Sequence, residues 1–84
     1  MNDLPRLFIK SGCPWCREAI HWLDAKGFTY EKIDVLADPA AYSEMKTLSG
    51  QKLTPTMVWP DGKILADFDT GELQMFLEKH EIES

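Results

Sequence analysis

The sequence predicts an α/β fold: a mixed four-stranded sheet flanked by three helices, in the chain order β-α-β-α-β-β-α. Short apolar runs bounded by turn residues alternate with stretches whose apolar residues recur at helical spacing. A tight turn, Pro60-Asp61-Gly62, joins the last two runs as a hairpin. At 84 residues the chain has room for one domain over residues 1–84, and a hydrophobic fraction of 44% against 27% charged suits a folded globular protein.

Leu7, Phe8 and Ile9 read as a buried strand that stops at Ser11-Gly12. Pro14 suits the first turn of a helix, where a missing N–H is no loss. Cys16, Ala19, Ile20 and Leu23 then fall at i, i+3, i+4 and i+7, and Lys26-Gly27 ends that helix. Residues 28–35 form the second strand, carrying Phe28, Tyr30, Ile33 and Val35. Asp38 as N-cap and Pro39 as first residue start the second helix, with Tyr42, Met45 and Leu48 on its apolar face and Ser49-Gly50 at its end. Residues 56–59 and 63–66 are the hairpin strands. The last helix begins at Asp69 or Thr70, with Asp69 and Glu72 at capping-box spacing and Leu73, Phe76 and Leu77 facing inward. A parallel pair joined by a helical crossover, followed by a hairpin and a closing helix, gives the thioredoxin-like architecture.

The formal charge of -5, without a basic cluster in the sequence, argues against nucleic acid or an anionic membrane as partner. No stretch approaches the roughly 18 consecutive apolar residues of a membrane span, and Met1-Asn2-Asp3 lacks the basic end and apolar run of a signal peptide. The expected location is the cytoplasm, where bulk thiols are reduced.

The chemistry is expected at Cys13 and Cys16, the two cysteines of the chain, both in one Cys-Pro-Trp-Cys tetrapeptide. A bridge between them closes too short a loop to stabilise much through chain entropy. The attacking species in disulfide exchange is the thiolate, and Cys13 lies where unpaired N–H groups and the helix dipole favour negative charge. Thiols so placed ionise at roughly 3.5–7.5. Lys10, three residues upstream, adds a positive charge. Cys16, a turn further in and more buried, acts second. Zinc needs four ligands, and His21 and His80 lack the spacing to complete such a site. A pair of inert buried cysteines conflicts with the exposed turn that Ser11, Gly12 and Pro14 imply. No metal site and no bound cofactor are expected.

Over nearly its whole length the chain resembles a glutaredoxin. Lys10-Ser11-Gly12-Cys13-Pro14-Trp15-Cys16-Arg17 is similar to the family's Lys-x-x-Cys-Pro-Tyr-Cys-Lys/Arg, with Trp15 for Tyr. Residues 26–35 resemble its second strand, and residues 44–50 the end of its second helix. Leu53-Thr54-Pro55 aligns with its Thr-Val-Pro, whose proline is cis and faces the active cysteine. The resemblance implies a cis Pro55, with Thr54 offering its backbone to a substrate that lies like an added strand; ignoring the resemblance, Pro55 reads as an ordinary turn before a strand. It also implies glutathione as co-substrate, with Lys10, Trp15, Leu53, Thr54, Pro55, Asp69 and Thr70 as its contacts. For Asp69 the alternative is a plain N-cap role.

One stretch departs from the family. Where glutaredoxins commonly carry Gly-Gly-Cys/Ser-Asp after the last strand, this chain has Ala66-Asp67-Phe68-Asp69, which puts a carboxylate where the glutathione backbone would approach closely. The same stretch resembles glutaredoxin-like relatives that take electrons from thioredoxin reductase and serve ribonucleotide reductase, whereas Pro14-Trp15 resembles ordinary glutaredoxins. The expected activity is therefore a monomeric oxidoreductase acting on protein disulfides or glutathione mixed disulfides, its electron donor being glutathione or thioredoxin reductase. A rival from another class is a carrier of a [2Fe–2S] cluster held by Cys13 of two copies with two glutathiones. Trp15 is a candidate substrate contact; Trp22 and Trp59 are expected in packing, and His21 on the solvated surface.

Overall fold

The computed structural model describes residues 4–83. Seven elements follow one another: β1 (Arg6–Ile9), α1 (Pro14–Ala25), β2 (Glu31–Asp34), α2 (Pro39–Ser49), β3 (Thr56–Val58), β4 (Ile64–Ala66) and α3 (Thr70–Lys79). The sheet order is β2-β1-β3-β4, with β1 parallel to β2 and antiparallel to β3, and the β3–β4 pair antiparallel. This is the expected order and pairing.

Strand alternation sorts the apolar side chains between two layers. Leu7, paired with Met57, points into a cluster with Ala19 and Leu23 of α1, Leu73 and Leu77 of α3, Trp59 and Phe68. Phe8 points the other way, onto Val35, Val58 and Ala41 and Met45 of α2. Helices α1 and α3 therefore cover one face and α2 the other. Both Leu7 and Phe8 are fully buried, so the central strand that leads into the Cys13-Pro14-Trp15-Cys16 turn is anchored on both faces.

The helix starts follow local chemistry. Asp38 Oδ1 accepts from Ala41 N–H at 3.2 Å with Pro39 in the first turn. Asp69 and Glu72 form the reciprocal capping box. Gly50, at φ +70, closes α2 in the left-handed region.

Two expectations change. The second strand begins at Glu31, not Phe28, because residues 28–30 bind back to α1. Phe28 N–H donates to Leu23 O at 3.0 Å, its ring stacks on Trp22 with centroids 6.1 Å apart, and Tyr30 hydroxyl donates to Asp24 at 2.8 Å. Pairing with the first strand starts only where Glu31 N–H reaches Pro5 O. The second correction concerns Leu48, which is 40% exposed. The inner face of α2 is Ala41 and Met45, an i, i+4 pair whose small first member lets the helix lie close to Phe8. Trp59 is buried and stacks on Phe76 at 4.9 Å, and His21 is exposed. Among the described residues no helix is long and apolar enough to cross a membrane.

Phe68, 2% exposed, fills the space between the sheet and α3. Phe68→Ala is expected to lower unfolding free energy by about 3–5 kcal/mol. Met75→Ala, at an exposed position of α3, should change it by less than about 0.5 kcal/mol. Urea unfolding of both variants, read as midpoint shifts, checks the pair.

Candidate active site

β1 delivers the chain into a turn that only glycine adopts without strain. Gly12 sits at φ +80, and Cys13 N–H closes the turn on Lys10 O at 3.3 Å. Ser11 hydroxyl donates to Asp34 Oδ2 at 2.7 Å, tying the turn to the end of β2. That bond, with the Leu36 N–H, holds the Asp34 carboxyl below its usual range. Cys13 leaves the turn in an extended conformation (φ -90, ψ 112) and becomes the N-cap of α1, with Pro14 in the first turn. A cysteine replaces the usual hydroxyl or carboxylate cap, so its sulfur takes the capping hydrogen bond: Cys16 N–H donates to Cys13 Sγ at 3.2 Å.

The two sulfurs are driven in opposite directions. Partial burial alone would raise the Cys13 thiol, but bonds from the Cys16 side chain, the Cys16 N–H, the Thr54 hydroxyl and the Trp15 N–H outweigh it, and its pKa lies below the ordinary thiol value. For Cys16 burial and the Cys13 sulfur beside it outweigh the bonds from the Thr54 side chain and the Lys10 backbone, so its pKa is raised. Cys16 is 1% exposed, whereas Cys13 is partly open; both are free thiols. The arrangement holds one ionisable sulfur at the surface and one protonated sulfur behind it.

Thr54 stands over the open side of Cys13. Its hydroxyl lies 3.9 Å from Sγ and its carbonyl oxygen 4.0 Å. The Thr54–Pro55 peptide bond is cis, the isomer the resemblance implies. Gln51 fixes this loop from below: its Oε1 accepts from Leu53 N–H at 2.6 Å, its Nε2 donates to Thr56 Oγ1 at 3.0 Å, and Thr56 hydroxyl donates to Leu53 O at 2.8 Å. Sequence reading passes over Gln51, since a glutamine in a polar loop carries no pattern that marks it.

Of the remaining candidates, Trp15 is 54% exposed and Leu53 47%, and they belong to the turn and the loop that meet at Cys13. Pro55 is buried, and its carbonyl accepts from Asp67 N–H at 2.9 Å, which brings the end of β4 to the same rim. Asp69 caps α3, and Thr70 begins that helix and shares a surface groove with Pro14 and Arg17. Lys10 is held by residues of α2 and the loop after it. Its ammonium lies 5.0 Å from the Tyr42 ring centre and 3.5 Å from Lys52 O. Lys46 also covers that ring, at 4.6 Å, and Tyr42 hydroxyl donates to Lys52 O at 3.0 Å. Hydrogen bonding with Lys10 leads the causes that hold the Tyr42 hydroxyl below its ordinary pKa. Lys10 is thus brought by folding to the same tyrosine as Lys46 and Lys52, and no linear basic run announces the group. Among the described residues no group of three His, Cys, Asp or Glu side chains gathers in a way that would hold a metal.

Thr54→Val removes a hydroxyl from the Cys13 sulfur and keeps the side-chain volume. The Thr54 hydroxyl lowers both sulfurs, so the expected outcome is a rise in the pKa of Cys13 and of Cys16, with Cys13 still ionising first, read from the thiolate ultraviolet absorbance against pH.

Comparison with known proteins places this geometry. A curated relative, the uncharacterized glutaredoxin-like 8.6 kDa protein in the rubredoxin operon of Clostridium pasteurianum, is 28% identical over 74 residues, covering 88% of this chain and 97% of that one. Among solved structures, the thioredoxin-like protein BC3987 superposes with TM-score 0.77 at 30% identity, over 87% of this chain and 99% of that one. A buckwheat glutaredoxin–glutathione complex gives TM-score 0.67 at 18% identity, over 98% and 83% of the two chains. The fold is thioredoxin-like. The glutaredoxin family model matches residues 6–64, a span that holds the dithiol turn and the cis proline, and this chain belongs to the glutaredoxin family.

Proposed function

We propose that this protein is a cytoplasmic, monomeric thiol–disulfide oxidoreductase that reduces protein disulfides or glutathione mixed disulfides through Cys13. The observation that carries the reading is the Cys13 sulfur itself: it accepts the Cys16 N–H at 3.2 Å at the start of α1, has a lowered pKa, and remains open to solvent beside Thr54. In the first step the Cys13 thiolate attacks one sulfur of a substrate disulfide. The substrate S–S bond breaks, a mixed disulfide with Cys13 forms, and the departing sulfur leaves as a thiolate that takes a proton from water. Cys16 then loses its proton and attacks Cys13 Sγ. This step yields the Cys13–Cys16 disulfide and releases the second substrate thiol, so the substrate gains two electrons and the dithiol loses two.

The high pKa of Cys16 suits this order. A buried, protonated thiol does not compete for the incoming disulfide, and it acts once the mixed disulfide has neutralised the neighbouring sulfur. Thr54, next to the cis bond, supplies backbone groups for a substrate segment lying along the loop, with Leu53 and Trp15 as apolar edges. Two thiols of glutathione or a reductase return the disulfide to the dithiol.

Glutathione as donor is supported by the family and by the glutathione held in the buckwheat relative. Donation by thioredoxin reductase is the second reading, favoured by Asp67 and Phe68 at the end of β4. A coupled assay separates them: turnover of a small mixed disulfide with glutathione and its reductase supports the first, and turnover with thioredoxin reductase alone the second. Cys13→Ser is expected to reduce both to background. Cys16→Ser should still form the mixed disulfide but accumulate it with protein substrates, visible as an added mass. Anaerobic reconstitution that produced a visible cluster band and a dimer would replace this reading with the iron–sulfur carrier.

A further inference from the structure

The rim beside the Cys13-Pro14-Trp15-Cys16 turn holds a carboxylate that the exchange chemistry does not use. Trp15, Asp67, Phe68, Asp69 and Glu72 enclose a concavity of about 220 Å³. Phe68 is its buried floor and Trp15 its exposed lip. Asp69 and Glu72 are engaged with each other, Asp69 Oδ1 accepting Glu72 N–H at 2.7 Å and Glu72 Oε1 accepting Asp69 N–H at 3.1 Å. Their role as the α3 cap is accounted for.

Asp67 differs. It is exposed, and neither ion pair of the described residues involves it. Its backbone stands at φ +52, a left-handed conformation that glycine adopts freely and that among other residues is enriched for Asp and Asn. Its own N–H is bonded to Pro55 O at 2.9 Å, and the residue before Pro55 is the Thr54 that stands 3.9 Å from the reacting sulfur. The backbone that carries this carboxylate is thereby held at the rim that Trp15 and Phe68 also line, in a conformation that glycine adopts freely.

We propose that Asp67 determines which disulfides reach Cys13, favouring polypeptide disulfides with lysine or arginine beside the cysteine over glutathione disulfide. This rests on the oxidoreductase reading. Each glutathione carries two carboxylates and one ammonium, so a bound mixed disulfide brings a net negative charge to a rim where Asp67 is already negative. A basic side chain next to a substrate cysteine instead meets an opposite charge there, with the Trp15 ring beside it for the cation. Opposite or like unit charges several ångströms apart at a hydrated rim change a rate by about fivefold to tenfold at low salt, and screening reduces that effect.

The test is a single turnover of the dithiol protein, which supplies both electrons itself. Two disulfide peptides identical but for Arg or Glu after the cysteine, and glutathione disulfide, are mixed with wild type, Asp67→Asn and Asp67→Gly. Both replacements tolerate the left-handed backbone, and rates are compared per Cys13 thiolate from each variant's pH profile. The wild type should prefer the Arg peptide over the Glu peptide by about tenfold at low salt. In both variants that ratio should fall at least threefold while glutathione disulfide gains about fivefold, and about 1 M salt should flatten the wild-type ratio likewise. Equal ratios in wild type and both variants would overturn the role of Asp67 while leaving the oxidoreductase reading intact. No reduction of any of the three disulfides by wild type would end both.

Discussion

The placement of the Cys13 sulfur as N-cap of α1, where it accepts the Cys16 N–H, is the constraint on which the site depends, because the bonds gathered there lower the Cys13 thiol while burial raises Cys16. A helix must satisfy the first N–H groups of its opening turn, and the N-cap side chain is the nearest acceptor. Here the cap is a cysteine, so the need of the helix for an acceptor and the need of the sulfur for a stabilised charge are met by one contact. Desolvation pushes the Cys13 pKa up, yet the bonds from Cys16, Thr54 and Trp15 pull it further down. At Cys16, which faces the core with Ala19 and Leu23, burial and the Cys13 sulfur outweigh the bonds from Thr54 and the Lys10 backbone. No lysine, arginine or carboxylate side chain is among the causes of either shift, and Lys10 is engaged with the Tyr42 ring and Lys52 O.

That contact is only as well placed as the backbone on either side of it. β1 is clamped between two apolar layers through Leu7 and Phe8, so the turn at Gly12 leaves the sheet at a fixed point. On the other side, Gln51 and Thr56 lock residues 51–56 with side-chain bonds, and this holds Thr54 at the sulfur. The β4 end joins through Asp67 and Pro55. Three chain segments that are remote in sequence therefore meet around Cys13.

Much of this was legible in the sequence wherever the cause is local. The caps at Asp38 and Asp69, the end of α2 at Gly50 and the placement of Cys13 before Pro14 each follow from residues within one turn of each other, and the structure has them where the spacing puts them. The parallel-then-antiparallel order follows from loop lengths and handedness. What stayed hidden depends on tertiary contact. Phe28 and Tyr30 look like strand residues by their alternation but serve the seam with Trp22 and Asp24. Leu48 has the right spacing for the core and is exposed, because α2 packs on the sheet through Ala41 and Met45. Gln51 and the lysines around Tyr42 carry no periodic signal at all; their roles exist only after the chain has closed.

The most direct test of the account is to measure the ionisation of each cysteine separately in the reduced wild-type protein, by pulsed alkylation across a pH series with the modified sites mapped by mass spectrometry. The account predicts that Cys13 reaches half its maximal reactivity below the roughly 8.5 of a free cysteine, while Cys16 remains protonated and unmodified through that range. Cys13 titrating at or above the free-cysteine value, or Cys16 ionising first, would contradict it.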